Sequence, residues 1–357
     1  MSGGVDSSVA AALLREQGYE VIGVAMRLAP ERRSPAASSR RGTCCSHDDF
    51  EDARRVAEWL NFPFYVIDLR ADFEARVIGN FVAEYLNGRT PNPCVMCNRE
   101  IKFDRLWQRA AALEADFIAT GHYARIERDE AGGFHLLRAS DESKDQSYFL
   151  FTLGQREMAR ILFPLGGLSK ADVRALARRL GLDNADKPES QEICFVPDSN
   201  YADFVTHNAP QERIRPGSIR DSGGQELARH SGIHQFTVGQ RRGLGIASSE
   251  PLYVRTIDGE TGDITVGRRG DLVSAGLIAA MVRMTNAENL SGGEVTAAVK
   301  IRYRHPPLPA SIRMLDRARA QVRFHNGGPA VTPGQACVFY RGDEVLGGGI
   351  IEAALER

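Results

Sequence analysis

Two segments of this sequence carry residue types suited to covalent chemistry. The first is SGGVDSS, Ser2 to Ser8, followed at once by the compact apolar run SSVAAALL from Ser7 to Leu14. Glycines let a backbone turn sharply and approach a ligand. A helix opening directly after them would turn its free N–H groups and positive dipole end toward phosphate. The lysine of a GxxxxGK[ST] loop is missing, so this is not the loop of a γ-phosphate transferase. A glycine turn that merely caps a structural helix is the plain alternative. The second segment is TPNPCVMCNREIKF, Thr90 to Phe103, with Cys94 and Cys97; it pairs with SQEICFV, which carries Cys194 behind the acidic loop DKPES. If Asn98 caps a helix, Cys97 sits at the positive helix end with Arg99 and Lys102 close in sequence, an environment that lowers a thiol pKa.

Other uses of these cysteines stay open. Cys94-x-x-Cys97 could be half of a zinc site, but no second pair with ribbon-like spacing follows. An iron–sulfur cluster on Cys94, Cys97 and Cys194, with one iron left open to sulfide, is allowed by ligand count. Cys44, Cys45 and Cys337 read most simply as buried small residues or idle thiols.

The elements that must hold these segments alternate in the first half. A buried strand is expected over Tyr19 to Met26. Ser46 is an expected N-cap, with Asp48, Asp49 and Glu51 in the first turn of a helix to about Leu60. The strand Phe64 to Asp68, a helix to about Leu86, a loop, a helix from Asn98 and the strand Asp116 to Thr120 follow. Such alternation favours a parallel sheet covered by helices. The phosphate loop should leave the end of a buried strand, yet only Met1 precedes it, so the sheet is expected to lack that strand. After about Tyr201, glycine turns and short strands dominate, suggesting small β-rich domains divided near residue 270.

Composition sets the frame. A chain of 357 residues has room for two or three domains. Its net charge of −1 argues against a coat of positive charge, though not against a local basic face. It has no run of eighteen apolar residues and no basic-then-apolar leader, so it reads as cytoplasmic, with no membrane partner. Six cysteines in a chain of this length do not make a secreted disulfide scaffold.

SGGVDSS resembles the SGGxDS loop of the ATP pyrophosphatases, which release pyrophosphate and leave AMP on the substrate. Together with TPNPCVMCNREIKF, ESQEICF, GHYAR (Gly121 to Arg125), KDQSYFL (Lys144 to Leu150), FTVGQRRGLG, KIRYRH and PGQA, it makes the chain resemble the MnmA/TrmU family of tRNA-specific 2-thiouridylases along nearly its whole length. The resemblance implies an α/β fold: a PP-loop ATP pyrophosphatase domain of the adenine nucleotide alpha hydrolase-like kind, with a parallel sheet, over 1–203. Two small β-rich domains follow, a central one over 204–270 and a C-terminal β-barrel over 271–357. The implied activity is ATP-dependent 2-thiolation of the wobble uridine of tRNA, by adenylation of the C2 oxygen and sulfur transfer from a cysteine persulfide.

Carried over by resemblance, Cys97 is the nucleophile and Cys194 the persulfide carrier, the two joining in a transient disulfide. Ser2, Gly3, Gly4, Val5, Asp6, Ser7, Ser8, Met26 and Gly121 would hold ATP, with Mg²⁺ screening the triphosphate and no metal ligand assigned. Asn92, Pro93 and Cys94 would meet the target base, although many family members have Asp at the position of Cys94. His122, Lys144, Asp145, Gln146, Arg302, Tyr303 and Gln335 would contact tRNA or organise the site. The implied partners are tRNA and a cysteine desulfurase or sulfur-relay protein. The alternatives are another adenylating enzyme, either an amidotransferase-like synthetase or a thiolase acting on a different base, and an RNA-binding module that keeps the loop without catalysis. Ammonia chemistry would need neither Cys97 nor Cys194, so their presence favours sulfur.

Overall fold

The structure is a computed structural model and describes residues 1–28, 47–188, 193–196, 200–286 and 293–356. Ser46, Cys44, Cys45 and the SQE of SQEICFV lie outside the described residues. The chain divides into two compact units. One comprises Met1–Val77, Cys94–Ser199 and Asp343–Val345, and the other Ile78–Pro93, Asn200–Gly342 and Leu346–Arg357.

The first unit is α/β. Helix α1 (Val5–Glu16) follows the glycine loop directly, and its alanine-rich face is buried. Strand β1 (Gly23–Arg27) pairs in parallel with β2 (Phe64–Asp68) in unbroken register, from Gly23↔Phe64 to Arg27↔Asp68. The strand expected from Tyr19 therefore begins only at Gly23. Helix α2 (His47–Trp59) lies between the two strands in sequence, so the connection is the crossover that a parallel pair requires. Strand β3 (Ile118–Ala119), shorter than expected, pairs in parallel with β6 (Ile161–Leu162). Between them in sequence lies the antiparallel hairpin β4 (Ala124–Arg128) and β5 (Phe134–Arg138). Helix α8 (Lys170–Arg179) contributes Val173 and Ala177 to a core shared with Val5, Val9, Val56, Tyr123 and Leu165. Among the described residues no strand leads into the loop; the amino group of Met1 donates to the Val24 carbonyl of β1.

The second unit is mostly β. After helix α9 (Tyr201–Asn208) comes a four-stranded sheet of β7 (Gly217–Arg220), β8 (Glu226–His230), β9 (Tyr253–Ile257) and β10 (Ile264–Gly267), in the order β8-β7-β10-β9. The last six strands are β11 (Ser274–Met284), β12 (Glu294–Lys300), β13 (Leu308–Met314), β14 (Ala320–Gly328), β15 (Ala336–Arg341) and β16 (Glu344–Leu355). They run in the order β11-β14-β13-β12-β15-β16, and pairing of β16 with β11 closes them into a barrel, which removes the free edges. Alternate residues fill its interior, among them Leu277, Val299, Ile312, Val322, Phe339 and Leu346. Cys337 belongs to that core, and burial pushes its thiol up to about 12, so it is an inert packing residue. The RYRH run, Arg302 to His305, is a turn: β12 ends at Lys300.

Candidate active site

Gly4 caps α1 in an extended conformation without a side-chain cap, as a helix start open to an anion requires. The loop is braced from within. Ser2 N–H donates to Ser7 Oγ (3.1 Å), and the hydroxyls of Ser7 and Ser8 both donate to the Gly4 carbonyl (3.1 Å each). Gly3 has φ +68°, and a Cβ there would run into the Asp49 carbonyl oxygen. A Cβ on Gly121 would lie 2.8 Å from the Asp6 carbonyl carbon and 2.9 Å from the Ser7 nitrogen, so only glycine lets the GHYAR segment meet the loop. Buried Asn184 donates to the Gly3 carbonyl (3.1 Å) and to Ser8 Oγ (2.9 Å). Met26 lies in β1, whose Val24 carbonyl takes the amino group of Met1.

Asp6, in the first turn of α1, suits the helix dipole but would repel a phosphate unless its charge were met. It is met by Lys170, whose Nζ lies 2.7 and 2.8 Å from the two carboxylate oxygens, while the Tyr123 hydroxyl donates to Oδ1 (2.8 Å). The Lys170 side chain is 11% exposed. It starts α8 behind a Ser169 cap reciprocated by Asp172. Sequence reasoning did not single out Lys170. The capping pattern S-x-x-D was its only trace, because its partner lies 164 positions away.

The GHYAR and KDQSYFL segments are hydrogen-bonded to each other. Gln146 accepts from the Tyr123 N–H (3.0 Å), and its own N–H donates to the Tyr123 carbonyl (2.8 Å). Buried Asp145 accepts from Ala139 N–H, Ser147 N–H and the Ser147 hydroxyl (3.2, 3.1 and 3.0 Å). Lys144 is half-buried, and its N–H donates to the Asp141 carbonyl. His122 is buried, with Nδ1 2.7 Å from Thr120 Oγ1 and Nε2 3.4 Å from Lys102 Nζ. Burial first and the Lys102 charge second hold its pKa well below the usual histidine value, so the ring is neutral near pH 7.

The helix carrying Cys97 opens five residues earlier than expected, with α5 (Pro93–Met96), and continues as a π-helical stretch Cys97–Arg105 into α6 (Leu106–Ala111). Proline suits a first helical position, where its missing N–H has no intrahelical role. Asn98 is consequently not an N-cap. It is 2% exposed inside the helix and donates to the Phe149 carbonyl (3.1 Å). Arg99 lies 2.7 Å from Glu100, which also receives Arg76 (2.7 Å). Burial pushes the Glu100 carboxyl up, but these hydrogen bonds outweigh it and hold the pKa below its ordinary value. Arg105 pairs with Asp72 (2.9 Å). The Cys97 helix is thus tied to the segment formed by α3 (Arg70–Phe73) and the π turn Glu74–Ile78. Phe195, next to Cys194, packs edge-on against Phe73 of that segment, with ring centroids 5.6 Å apart. Cys94 is exposed, Cys97 and Cys194 are half-buried, and none of the three is in a disulfide. Among the described residues no three His, Cys, Asp or Glu side chains gather to hold a metal ion.

In the second unit, Gln335 donates to the backbone carbonyls of Thr90 and Pro91, directly before Asn92 and Pro93. Arg302 donates to the Ala330 carbonyl and to Thr332 Oγ1 (3.0 and 2.8 Å). The Tyr303 ring lies under Lys300 Nζ, 5.6 Å from its centroid. Arg304 is exposed.

Comparison with known proteins fits this architecture. Family models match residues 1–198 (tRNA methyl transferase HUP domain), 202–268 (tRNA methyl transferase PRC-barrel domain) and 274–351 (aminomethyltransferase beta-barrel domain). The chain is 53% identical to the tRNA-specific 2-thiouridylase MnmA of Geobacter metallireducens, over 99% of this chain and 96% of that protein. It is 49% identical to that of Solibacter usitatus and 44% to that of Clostridium perfringens, over 99% of this chain and 98% of each relative. No helix among the described residues is long and apolar enough to cross a membrane.

Proposed function

The chain belongs to the MnmA family of tRNA-specific 2-thiouridylases, and on that premise we propose that it adenylates the C2 oxygen of the wobble uridine in tRNA and replaces it with sulfur. The supporting observation is that the Cys97 helix and the Cys194 segment dock on one helical segment, in the unit that also carries the phosphate loop. The three domains are taken as 1–203, 204–270 and 271–357, acting in the cytoplasm.

The loop Ser2 to Ser8, with Met26 and Gly121, binds ATP; the α1 N-terminus and Lys170 face the triphosphate. A magnesium ion arriving with the nucleotide would screen phosphate charge; no residue is assigned to hold it, because both oxygens of Asp6 are engaged by Lys170. The uracil oxygen attacks the α-phosphorus, pyrophosphate departs, and the C2 oxygen, a poor leaving group until then, can leave as AMP. Asn92, Pro93 and Cys94 meet the base, while His122, Lys144, Asp145, Gln146, Arg302, Tyr303 and Gln335 hold the tRNA or the segments around it.

Cys194 carries a persulfide supplied by a cysteine desulfurase or relay protein. Its terminal sulfur either attacks C2 first, Cys97 then attacking the Cys194 sulfur to break the S–S bond and leave the outer sulfur on the base, or is released as sulfide by that same Cys97 attack and then reaches C2. Either route expels AMP and leaves a Cys97–Cys194 disulfide, which takes two electrons from a thiol reductant before the next turnover. The test is incubation with ATP, a persulfide donor and unmodified tRNA, followed by mass spectrometry of the nucleosides. The proposal requires 2-thiouridine and one AMP per sulfur; ADP formation, or an unmodified tRNA, would reject it.

A further inference from the structure

Backbone N–H and C=O groups of a surface loop usually turn to water, and each must be satisfied somewhere. At Thr90 every one of them is bound to protein. Its N–H donates to the Pro333 carbonyl (2.8 Å), and its hydroxyl donates to Thr237 Oγ1 (3.2 Å). The single amide of Gln335 donates to both the Thr90 and the Pro91 carbonyl (3.0 and 3.1 Å), which fixes two successive peptide planes.

The approach is built in by glycine. Gly334 has φ +92°, and a Cβ there would lie 2.7 to 2.9 Å from the Thr90 oxygen, nitrogen and carbonyl carbon. The turn that presents Gly334 and Gln335 is itself anchored, by hydrogen bonds of 2.9 and 2.8 Å between Gly334, Gln335 and Ile351 of β16. Arg302 braces it through Thr332, whose hydroxyl in turn reaches the Val238 carbonyl (3.3 Å). Thr237 is held by Gln240 (2.9 Å) and is reached by the phenols of Tyr85 and Tyr201, whose rings stack 4.7 Å apart. Two segments far apart in sequence, FTVGQ through Thr237 and PGQA through Gln335, therefore meet at Thr90 of TPNPC, and KIRYRH supports them through Arg302 and Thr332.

We propose that Gln335, Gly334 and Thr237 form a clamp that positions Thr90 to Pro93, so that Gln335 acts through this loop and is a positioning residue. The inference rests on the thiouridylase reading, in which Asn92 and Pro93 meet the target base. Rate then depends on the clamp, because a displacement near 1 Å in a reacting geometry costs on the order of a hundred-fold. Affinity for the rest of the tRNA does not depend on it.

The test uses the full chain with Gln335→Met, which keeps bulk but removes both donors, and Thr237→Val beside Thr237→Ser. Three quantities are read: tRNA affinity, the single-turnover thiolation rate at saturating tRNA, and hydrogen exchange at the Thr90 amide. Gln335→Met should lower the rate constant about ten-fold or more at unchanged amplitude, while the tRNA dissociation constant stays within about two-fold. Thr237→Ser should keep the wild-type rate and Thr237→Val lose it, and Thr90 exchange should quicken in Gln335→Met and Thr237→Val alike. A tRNA affinity that falls in step with the rate would make Gln335 a direct tRNA ligand and overturn the clamp, as would an unchanged rate. A wild-type chain that makes no 2-thiouridine would defeat the thiouridylase reading. Unchanged Thr90 exchange in both variants would defeat the clamp alone.

Discussion

Replacing Lys170 by methionine keeps the bulk of the side chain and removes the charge that faces Asp6. Breaking a buried pair from one side costs roughly 3–5 kcal/mol, because the remaining charge is left uncompensated. Asp6 is 31% exposed and keeps the Tyr123 hydroxyl, so part of that cost is relieved and about 2 kcal/mol remains. For a cooperative unit of this size that is a fall of about 4–8 °C in melting temperature. Adding Asp6→Asn removes the orphan charge and should recover most of the loss. ATP affinity should respond differently. If Lys170 faces the triphosphate, Lys170→Met weakens ATP on the order of ten-fold or more, and Asp6→Asn does not restore it. Differential scanning calorimetry gives the first quantity and titration calorimetry with ATP the second. A melting temperature unmoved by Lys170→Met would refute the stability argument. ATP affinity rescued by Asp6→Asn would reduce Lys170 to a neutraliser of Asp6.

Three further predictions concern charged side chains. Arg304 is exposed whereas Arg302 is engaged with the Ala330–Thr332 turn. Arg304→Ala should therefore weaken tRNA binding in a salt-dependent way, with a shallower salt slope than wild type. Arg302→Ala should lower the thiolation rate through the clamp; ATP affinity that changed in either variant would contradict both assignments. His135 lies between Asp129 (2.9 Å) and Glu344 (2.7 Å), and hydrogen bonds to these two carboxylates, Asp129 first, raise its pKa. A base raised on folding contributes stability that is full below its unfolded pKa, near 6.5, and is lost as pH rises through the folded value. The melting-temperature gap between wild type and His135→Gln should thus be wider at about pH 5.5 than at about pH 8.5, though small because the site is partly exposed. A gap that is flat or widens with pH would rule this out.

The segments whose structure follows local rules were legible in advance. Phe64–Asp68 is a strand as its β-branched, turn-bounded sequence suggests, and α1 opens directly after the glycines of SGGVDSS. The signals that misled were those settled by partners distant in sequence. Asn98 looks like a cap from its type, but Pro93 starts the helix and Phe149 claims the Asn98 amide. RYRH alternates like a strand, yet Arg302 is turned by the Ala330 and Thr332 oxygens. Neither Lys170, paired across 164 positions, nor the clamp on Thr90, reached from 244 to 245 positions away by Gln335, leaves a local pattern to read. Tertiary contacts of this kind override propensity without marking the sequence around them.

The proposed passage of sulfur through Cys97 and Cys194 requires no iron–sulfur cluster. It is tested most directly with anaerobically purified, chelator-treated protein given ATP, a persulfide donor and unmodified tRNA, with 2-thiouridine counted by mass spectrometry. Metal-free wild type and Cys94→Asp should both form 2-thiouridine. Cys97→Ser and Cys194→Ser should form none, yet still exchange labelled pyrophosphate into ATP in the presence of tRNA. Wild type that stays inactive until iron and sulfide are restored, together with an inactive Cys94→Asp, would contradict the account.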